Sequence, residues 1–263
     1  MLFGWRALRL GEHLITGALL AAGVSLLVLA RVPRPWLPDL VGWWHRRLGR
    51  CLALAVNRRG APVPGALLAA NHVSWLDIPA LGGAAPVRFV SKAEVRGWPL
   101  VGWMASLAGT VFLQRGAHQA TATACEIARW LDHGDSVVIF PEGTTGDGLG
   151  LLRFHARLFA AVEQARAPVQ PVAIRYGRGV DPDRTAPFVG DDALLAHLWR
   201  VLKHPGLTAT VTFLAPLELA DPRRRELAEA ARAAIAAELC RQAEEAVSQQ
   251  TRRQNRRVAR AVA

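Results

Sequence analysis

A histidine and an aspartate stand five residues apart in LLAANHVSWLDIPAL (residues 67–81), where an apolar run breaks into Asn71, His72, Ser74, Trp75 and Asp77. Five helical steps of about 100° place such a pair on different sides of one helix. They can meet if His72 lies in a loop and Asp77 in the first turn of the helix that follows. Asp77 then accepts from one imidazole nitrogen and fixes the tautomer, and the other nitrogen is free to act as a general base. The same spacing also reads as scaffold, because Ser74-x-x-Asp77 is a capping-box pattern with Asp in place of Glu. No further ligands at metal spacing stand nearby, so a metal centre is not expected.

Three other stretches carry chemistry-bearing residues. FPEGTTGDG (residues 140–148) follows the apolar run SVVI and places Glu142, Gly143 and Thr144 in a strand-end loop, where α/β sheets bind ligands. An ordinary βα turn reads equally well from that stretch alone, and it lacks the GxxxxGK[ST] spacing of a P-loop. In FVSKAEVRGWPLVGWMASLAGTVFLQRG (residues 89–116), Lys92 and Arg115 each follow an apolar run and can project from strand ends towards a common site. Trp98, Pro99, Trp103 and Leu107 would form an apolar wall between them. VQPVAIRY (residues 169–176) reads as a strand whose Pro171 demotes it to an edge or a bulge.

The elements needed to position these groups are legible as alternating patterns. Residues 65–70, 87–91, 110–113, 136–140, 169–175 and 209–215 read as strands, and residues 119–133 and 151–166 as helices. Gly134 ends the first helix and Pro168 the second. Such alternation predicts an α/β fold, with a mixed, largely parallel sheet covered by helices. Residues 177–189, rich in Asp, Pro, Arg and Gly, read as a surface loop. Residues 14–30 carry no charge over seventeen positions, at the lower limit for crossing a bilayer. Arginines flank the run, Trp36, Trp43 and Trp44 follow it, and prolines stand where a signal-peptide cleavage site would be. A membrane anchor is expected there, with the remaining chain on the cytoplasmic side of the inner membrane; a buried core helix is the alternative. After Asp221-Pro222, Leu227, Ala231, Ile235 and Leu239 recur on one helical face and lead to a basic end. Three segments are therefore expected: an anchor with an interfacial Trp/Arg stretch at residues 1–50, a catalytic domain at 51–220, and a basic amphipathic helix at 221–263.

Charge narrows the partners. The net +11 is concentrated on the flanks: residues 1–50 carry +5 and residues 221–263 carry +4, against +2 for everything between. That distribution suits an anionic membrane surface. A nucleic-acid partner is not expected, since the middle is nearly balanced and lacks aromatics interleaved with basic residues. A non-catalytic membrane-bound lipid- or nucleic-acid-binding module is the competing class. Three widely spaced cysteines imply neither a disulfide framework nor a zinc cluster.

Taken in order, the four stretches resemble the blocks of the 1-acylglycerol-3-phosphate O-acyltransferase (lysophospholipid acyltransferase) family. Asn71-His72-x4-Asp77 matches its His-x4-Asp block, and Lys92 with the run from Gly109 to Arg115 looks like the second. Phe140-Pro141-Glu142-Gly143-Thr144 looks like the third, and residues 169–174 resemble the fourth. The resemblance covers about residues 60–215. It implies the glycerolipid acyltransferase fold, with His72 as the base acting on a lysolipid hydroxyl and Asp77 orienting it. It further implies that Arg115, Glu142, Gly143 and Thr144 bind the acceptor, with Lys92 adding positive charge. Acyl-CoA or acyl carrier protein would be the co-substrate, with no resident cofactor and no covalent enzyme intermediate. The implied acceptor is 1-acyl-sn-glycerol-3-phosphate. Thr145 and Gly146 stand where the family commonly has Arg and Ser, Gln114 replaces an Asp, and His155 replaces a basic residue. Loss of a guanidinium at position 145 removes a bidentate phosphate clamp, and lyso-ornithine lipid, whose head group lacks phosphate, is the alternative acceptor.

Overall fold

The computed structural model describes residues 2–113, 117–219 and 223–262. A seven-stranded sheet runs through it in the order β1-β7-β6-β2-β5-β3-β4. The strands are β1 (Leu54–Arg59), β2 (Leu67–Ala70), β3 (Arg88–Lys92), β4 (Val111–Leu113), β5 (Val137–Ile139), β6 (Val169–Tyr176) and β7 (Leu207–Phe213). The five from β6 to β4 are mutually parallel, and β7 pairs antiparallel with β6 and parallel with β1. The expected mixed, largely parallel sheet is present.

Alternation along β2 shows how the sheet divides the core. Leu68 and Ala70 face one apolar cluster, and Leu67 and Ala69 face the other. The first cluster is covered by α2 (Leu37–Cys51), α3 (Asp77–Ala84) and α7 (Leu194–Lys203), with Phe3 and Leu10 of α1 (Leu2–Leu29) against it. The second lies under α5 (Ala117–Asp132), α6 (Ala160–Ala165) and α8 (Arg224–Val262). α8 is therefore partly core: Leu227, Ala231 and Ile235 are buried against the sheet, as their i+4 spacing predicts. Glycine lets α2 and α3 pack closely, since a Cβ on Gly82 would stand 2.4 Å from the His45 ring.

α1 is longer than its uncharged run. It continues N-terminally past Arg6, Glu12 and His13 because the domain receives those polar groups. Arg6 donates to the carbonyls of Leu202, His204 and Pro205 at the end of α7, Arg47 pairs with Glu12 at 2.8 Å, and His13 stacks on Trp44 at 3.5 Å. Further along, Trp103 of α4 (Val101–Leu107) donates to Ser25. The helix thus docks from one end towards the other, while Trp5, Leu8, Ile15, Leu19, Leu26 and Leu29 remain exposed along its outer side. Its Phe3–Leu29 segment, with a mean hydropathy of 1.8, is long and apolar enough to cross a membrane.

Two expectations need correction, and one strand was not expected. Pro171 lies in a central strand, between β2 and β7. Its carbonyl accepts from Leu214 N, so its donor-less nitrogen faces the side where β7 has already ended at Phe213 and no ladder bond is lost. Residues 151–155 are not helical: a 3-10 turn spans Ala156–Phe159 and α6 begins only at Ala160. β1 was not expected, since only Leu54 is buried and the strand exists through its pairing with β7.

Candidate active site

The parallel strands deliver the four blocks to one edge. His72 follows β2, Glu142 follows β5, Lys92 ends β3, and Tyr176 ends β6. Ladder register carries the alignment further. Ala69 pairs with Ile139 and Phe89 with Val138, so Lys92 stands level with Pro141 and Asn71, two strand spacings or about 10 Å across the edge. Lys92 is exposed. Arg115 would follow Leu113, the partner of Lys92 in the ladder, but lies outside the described residues.

His72 and Asp77 meet as the loop-then-helix arrangement requires. Asp77 is the first residue of α3, and its Oδ2 accepts from His72 Nδ1 at 2.8 Å, from Val73 N at 2.8 Å and from Ser74 N at 3.0 Å. Its Oδ1 accepts the hydroxyl of Tyr176 at 2.7 Å. The carboxylate is 0% exposed, whereas the imidazole keeps 19% of its surface open. With Nδ1–H committed to Asp77, the lone pair of Nε2 is available, and Nε2 has no protein partner among the described residues. Phe140 stacks under the ring at 4.0 Å and fixes its plane. The capping box forms only by half. Asp77 takes the Ser74 N–H, but Ser74 Oγ is buried without a protein partner, so it does not cap α3 as expected.

Glu142 braces the same loop. Its Oε1 accepts His72 N at 2.7 Å and its Oε2 accepts Leu152 N at 2.9 Å; the residue is 4% exposed. Burial raises its pKa, and the two amide bonds oppose that shift. Both carboxylate oxygens are thus spent on backbone amides. Gly143, at φ +71°, makes the turn beside it, and Gly146 N closes onto His72 O at 2.8 Å. Thr144 follows Gly143 at the exposed tip of this turn, and the Thr145 hydroxyl donates to Phe188 O in the 177–189 loop. That loop is held in turn by a buried, neutral histidine. His197 Nε2 donates to the carbonyls of Thr185 and Pro187, and its Nδ1 accepts from Trp75 at 2.9 Å. Burial pushes the pKa of His197 down, which favours the neutral ring, and the bond from Trp75 fixes its tautomer.

Two residues of the site were given no role from the sequence. Asn71 exchanges two hydrogen bonds with the Ile174 backbone, tying the end of β2 to β6. Tyr176 supports Asp77 from the far side, and burial next to that carboxylate raises its pKa well above the usual 10. Tyr176 is the only tyrosine in the chain and closes an apolar strand, which is the signal that could have found it. Trp98 and Trp103, expected as an apolar wall, stand exposed, Trp103 against α1 through its bond to Ser25. Among the described residues no group of three or more His, Cys, Asp or Glu could hold a metal ion.

Known proteins resemble this chain in sequence and in fold. The acyltransferase family pattern matches residues 56–175, which span β1 to β6. A lyso-ornithine lipid O-acyltransferase of Pseudomonas aeruginosa is 44% identical over 235 residues, covering 88% of this chain and 90% of its own. A 1-acyl-sn-glycerol-3-phosphate acyltransferase of Neisseria meningitidis is 37% identical over 205 residues, covering 72% and 79%. The crystal structure of the 1-acyl-sn-glycerophosphate (LPA) acyltransferase PlsC from Thermotoga maritima shares the fold, with a TM-score of 0.58 at 21% identity, over 88% of this chain and 96% of that one. An ordered set of blocks at one sheet edge, together with relatives matched over 79% and 90% of their own length, makes this chain a member of the acyltransferase family and an acyltransferase enzyme.

Proposed function

We propose that the protein transfers an acyl chain from a thioester of coenzyme A or acyl carrier protein to the free hydroxyl of a lysolipid. The observation that carries this reading is the His72–Asp77 pair, with Nδ1 held by a buried carboxylate and Nε2 open at the sheet edge. His72 Nε2 takes the hydroxyl proton as the oxygen attacks the thioester carbonyl. The C–S bond then breaks, and the imidazolium returns the proton to the departing thiolate. Asp77 stabilises the imidazolium that forms between these steps. The transfer is direct, from thioester to alcohol, with no acyl-enzyme.

For the acceptor we favour lyso-ornithine lipid over 1-acyl-sn-glycerol-3-phosphate. Position 145 supplies a hydroxyl already tied to Phe188 O, where a phosphate acceptor would be served by a guanidinium. The Pseudomonas aeruginosa relative named for lyso-ornithine lipid is also matched at higher identity and over more of the chain than the Neisseria meningitidis one. α1 seats the domain on the bilayer by its exposed apolar side, at the cytoplasmic face of the membrane. Its docking along α7, α2 and α4 favours a helix lying in one leaflet over one that leaves the domain to cross. The test is a competition: purified protein on vesicles receives acyl-CoA with equal lyso-ornithine lipid and lysophosphatidic acid. Preferential formation of ornithine lipid is expected, and preferential formation of phosphatidic acid would reverse the acceptor assignment.

A further inference from the structure

On the face of the sheet away from α1, five arginines surround an open cavity of about 420 Å³. Arg153 and Arg157 come from the stretch after the third block, and Arg224, Arg225 and Arg232 from the start of α8. All five are exposed, and none forms an ion pair among the described residues. Glu229 is the one carboxylate in the lining. Cations gathered this closely repel one another, and an anion relieves that repulsion. Two of them, Arg224 and Arg225, occupy the first turn of a helix, where the macrodipole disfavours positive charge. Helix stability therefore does not explain their presence, whereas an anionic ligand does.

The cavity is bonded to the catalytic loop. Arg232 donates to the carbonyls of Leu152 and Leu151 at 2.9 and 2.8 Å, and Leu152 N–H donates to Glu142, which holds His72 N. The position of a Cβ on Gly143 lies 3.6 Å from the His155 ring, so the cavity wall and the third block touch. Its location also limits the ligand. Exposed apolar residues of α1, α4 and α7 lie across the sheet from it, so a bilayer-held head group approaches from the other face. A ligand reaching the arginines comes from water.

We propose that this cavity binds the phosphate groups of a soluble, nucleotide-bearing acyl thioester, so that donor and lysolipid approach His72 from opposite faces of the sheet. The volume suits a nucleotide-sized polyanion. A folded acidic carrier protein would rest on the rim instead. The proposal rests on the acyl-transfer reading above and deepens it by giving the donor a place.

The experiment uses the full chain in detergent. Binding of free coenzyme A and of adenosine 3′,5′-bisphosphate is measured by calorimetry for the wild type, Arg157→Ala and Arg225→Ala; acyl transfer kinetics are measured alongside. Expected is wild-type binding that weakens with salt, and about a ten-fold loss for each exposed arginine removed. The KM for acyl-CoA rises in parallel, while the KM for the lysolipid stays unchanged. Unfolding curves matching the wild type show that the variants fold. No binding by the wild type, or equal binding by wild type and variants, overturns the proposal. So does a rise confined to the lysolipid KM, or use of a carrier-protein thioester without any affinity for coenzyme A. If no lysolipid is acylated but coenzyme A binds and the variants lose it, the cavity assignment stands and the acyl-transfer reading falls.

Discussion

Replacing Tyr176 by Phe removes one oxygen and leaves the ring, so the perturbation is confined to the bond on Asp77. That bond is 2.7 Å long and is the one contact to Oδ1 among the described residues; the other three donors share Oδ2. Tyr176 is 3% exposed and Asp77 0%, so water does not replace the lost hydroxyl. A hydrogen bond to an ionised acceptor is worth about 1.5–3 kcal/mol, and no cavity term accompanies it because the ring still fills the site. Tyr176→Phe should therefore unfold at lower denaturant, by about 2 kcal/mol, and kcat should fall about ten-fold as the Asp77–His72 geometry loosens. A double-mutant cycle with Asp77→Ala isolates the pair. Once Asp77 is gone, Tyr176→Phe should cost little, leaving a coupling of about 1.5–3 kcal/mol. The cycle is measured by equilibrium urea unfolding, with kcat alongside. Additive effects within about 0.5 kcal/mol, together with an unchanged kcat, would refute the idea that Tyr176 positions the aspartate.

Other consequences follow from the same geometry. Glu142→Gln keeps the size but offers one acceptor oxygen to two part-buried donors, His72 N and Leu152 N. It should cost about 1–3 kcal/mol in thermal or chemical unfolding and lower kcat while leaving the acceptor KM largely intact. Burial lowers the pKa of His45 to about 4, so the unfolded chain takes up this proton first as the pH falls below about 6.5. Stability from this group is complete above that value and declines by up to about 3 kcal/mol towards pH 4; His45→Asn should flatten the fall in Tm across that window. On α1, Leu19→Glu places a charge on the exposed apolar side and should release protein from anionic vesicles in a sedimentation assay, with the unfolding curve unchanged.

How much of this was legible depended on whether a feature is set locally. β2, β5 and β6 are apolar runs buried on both faces, and such runs announce themselves in composition. The His72–Asp77 spacing could be resolved into a loop and a helix start because only that arrangement closes the pair. Long-range bonds decided the rest. Residues 151–155 have the apolar content of a helix, but Glu142 holds Leu152 N, Pro141 O holds His155 N at 2.7 Å, and Arg232 takes two of their carbonyls. Those partners lie outside the segment, and local propensity gives way to them. Ser74 looked like a cap because the pattern gives types and spacing but not which atom bonds; the backbone amide of Ser74 bonds to Asp77, and its hydroxyl does not. Tyr176 is 99 residues from Asp77, and only the adjacency of β6 and β2 brings the two together.

The central claim is that His72 Nε2 removes the acceptor proton. The most direct measurement is thioester-dependent acyl transfer by His72→Ala, made on vesicles beside the wild type at equal bound protein. Loss of activity by about 10²–10⁴-fold, with the unfolding curve and vesicle binding retained, is the predicted result. Transfer at a rate near the wild type would contradict the account, because the proton transfer is assigned to this one nitrogen.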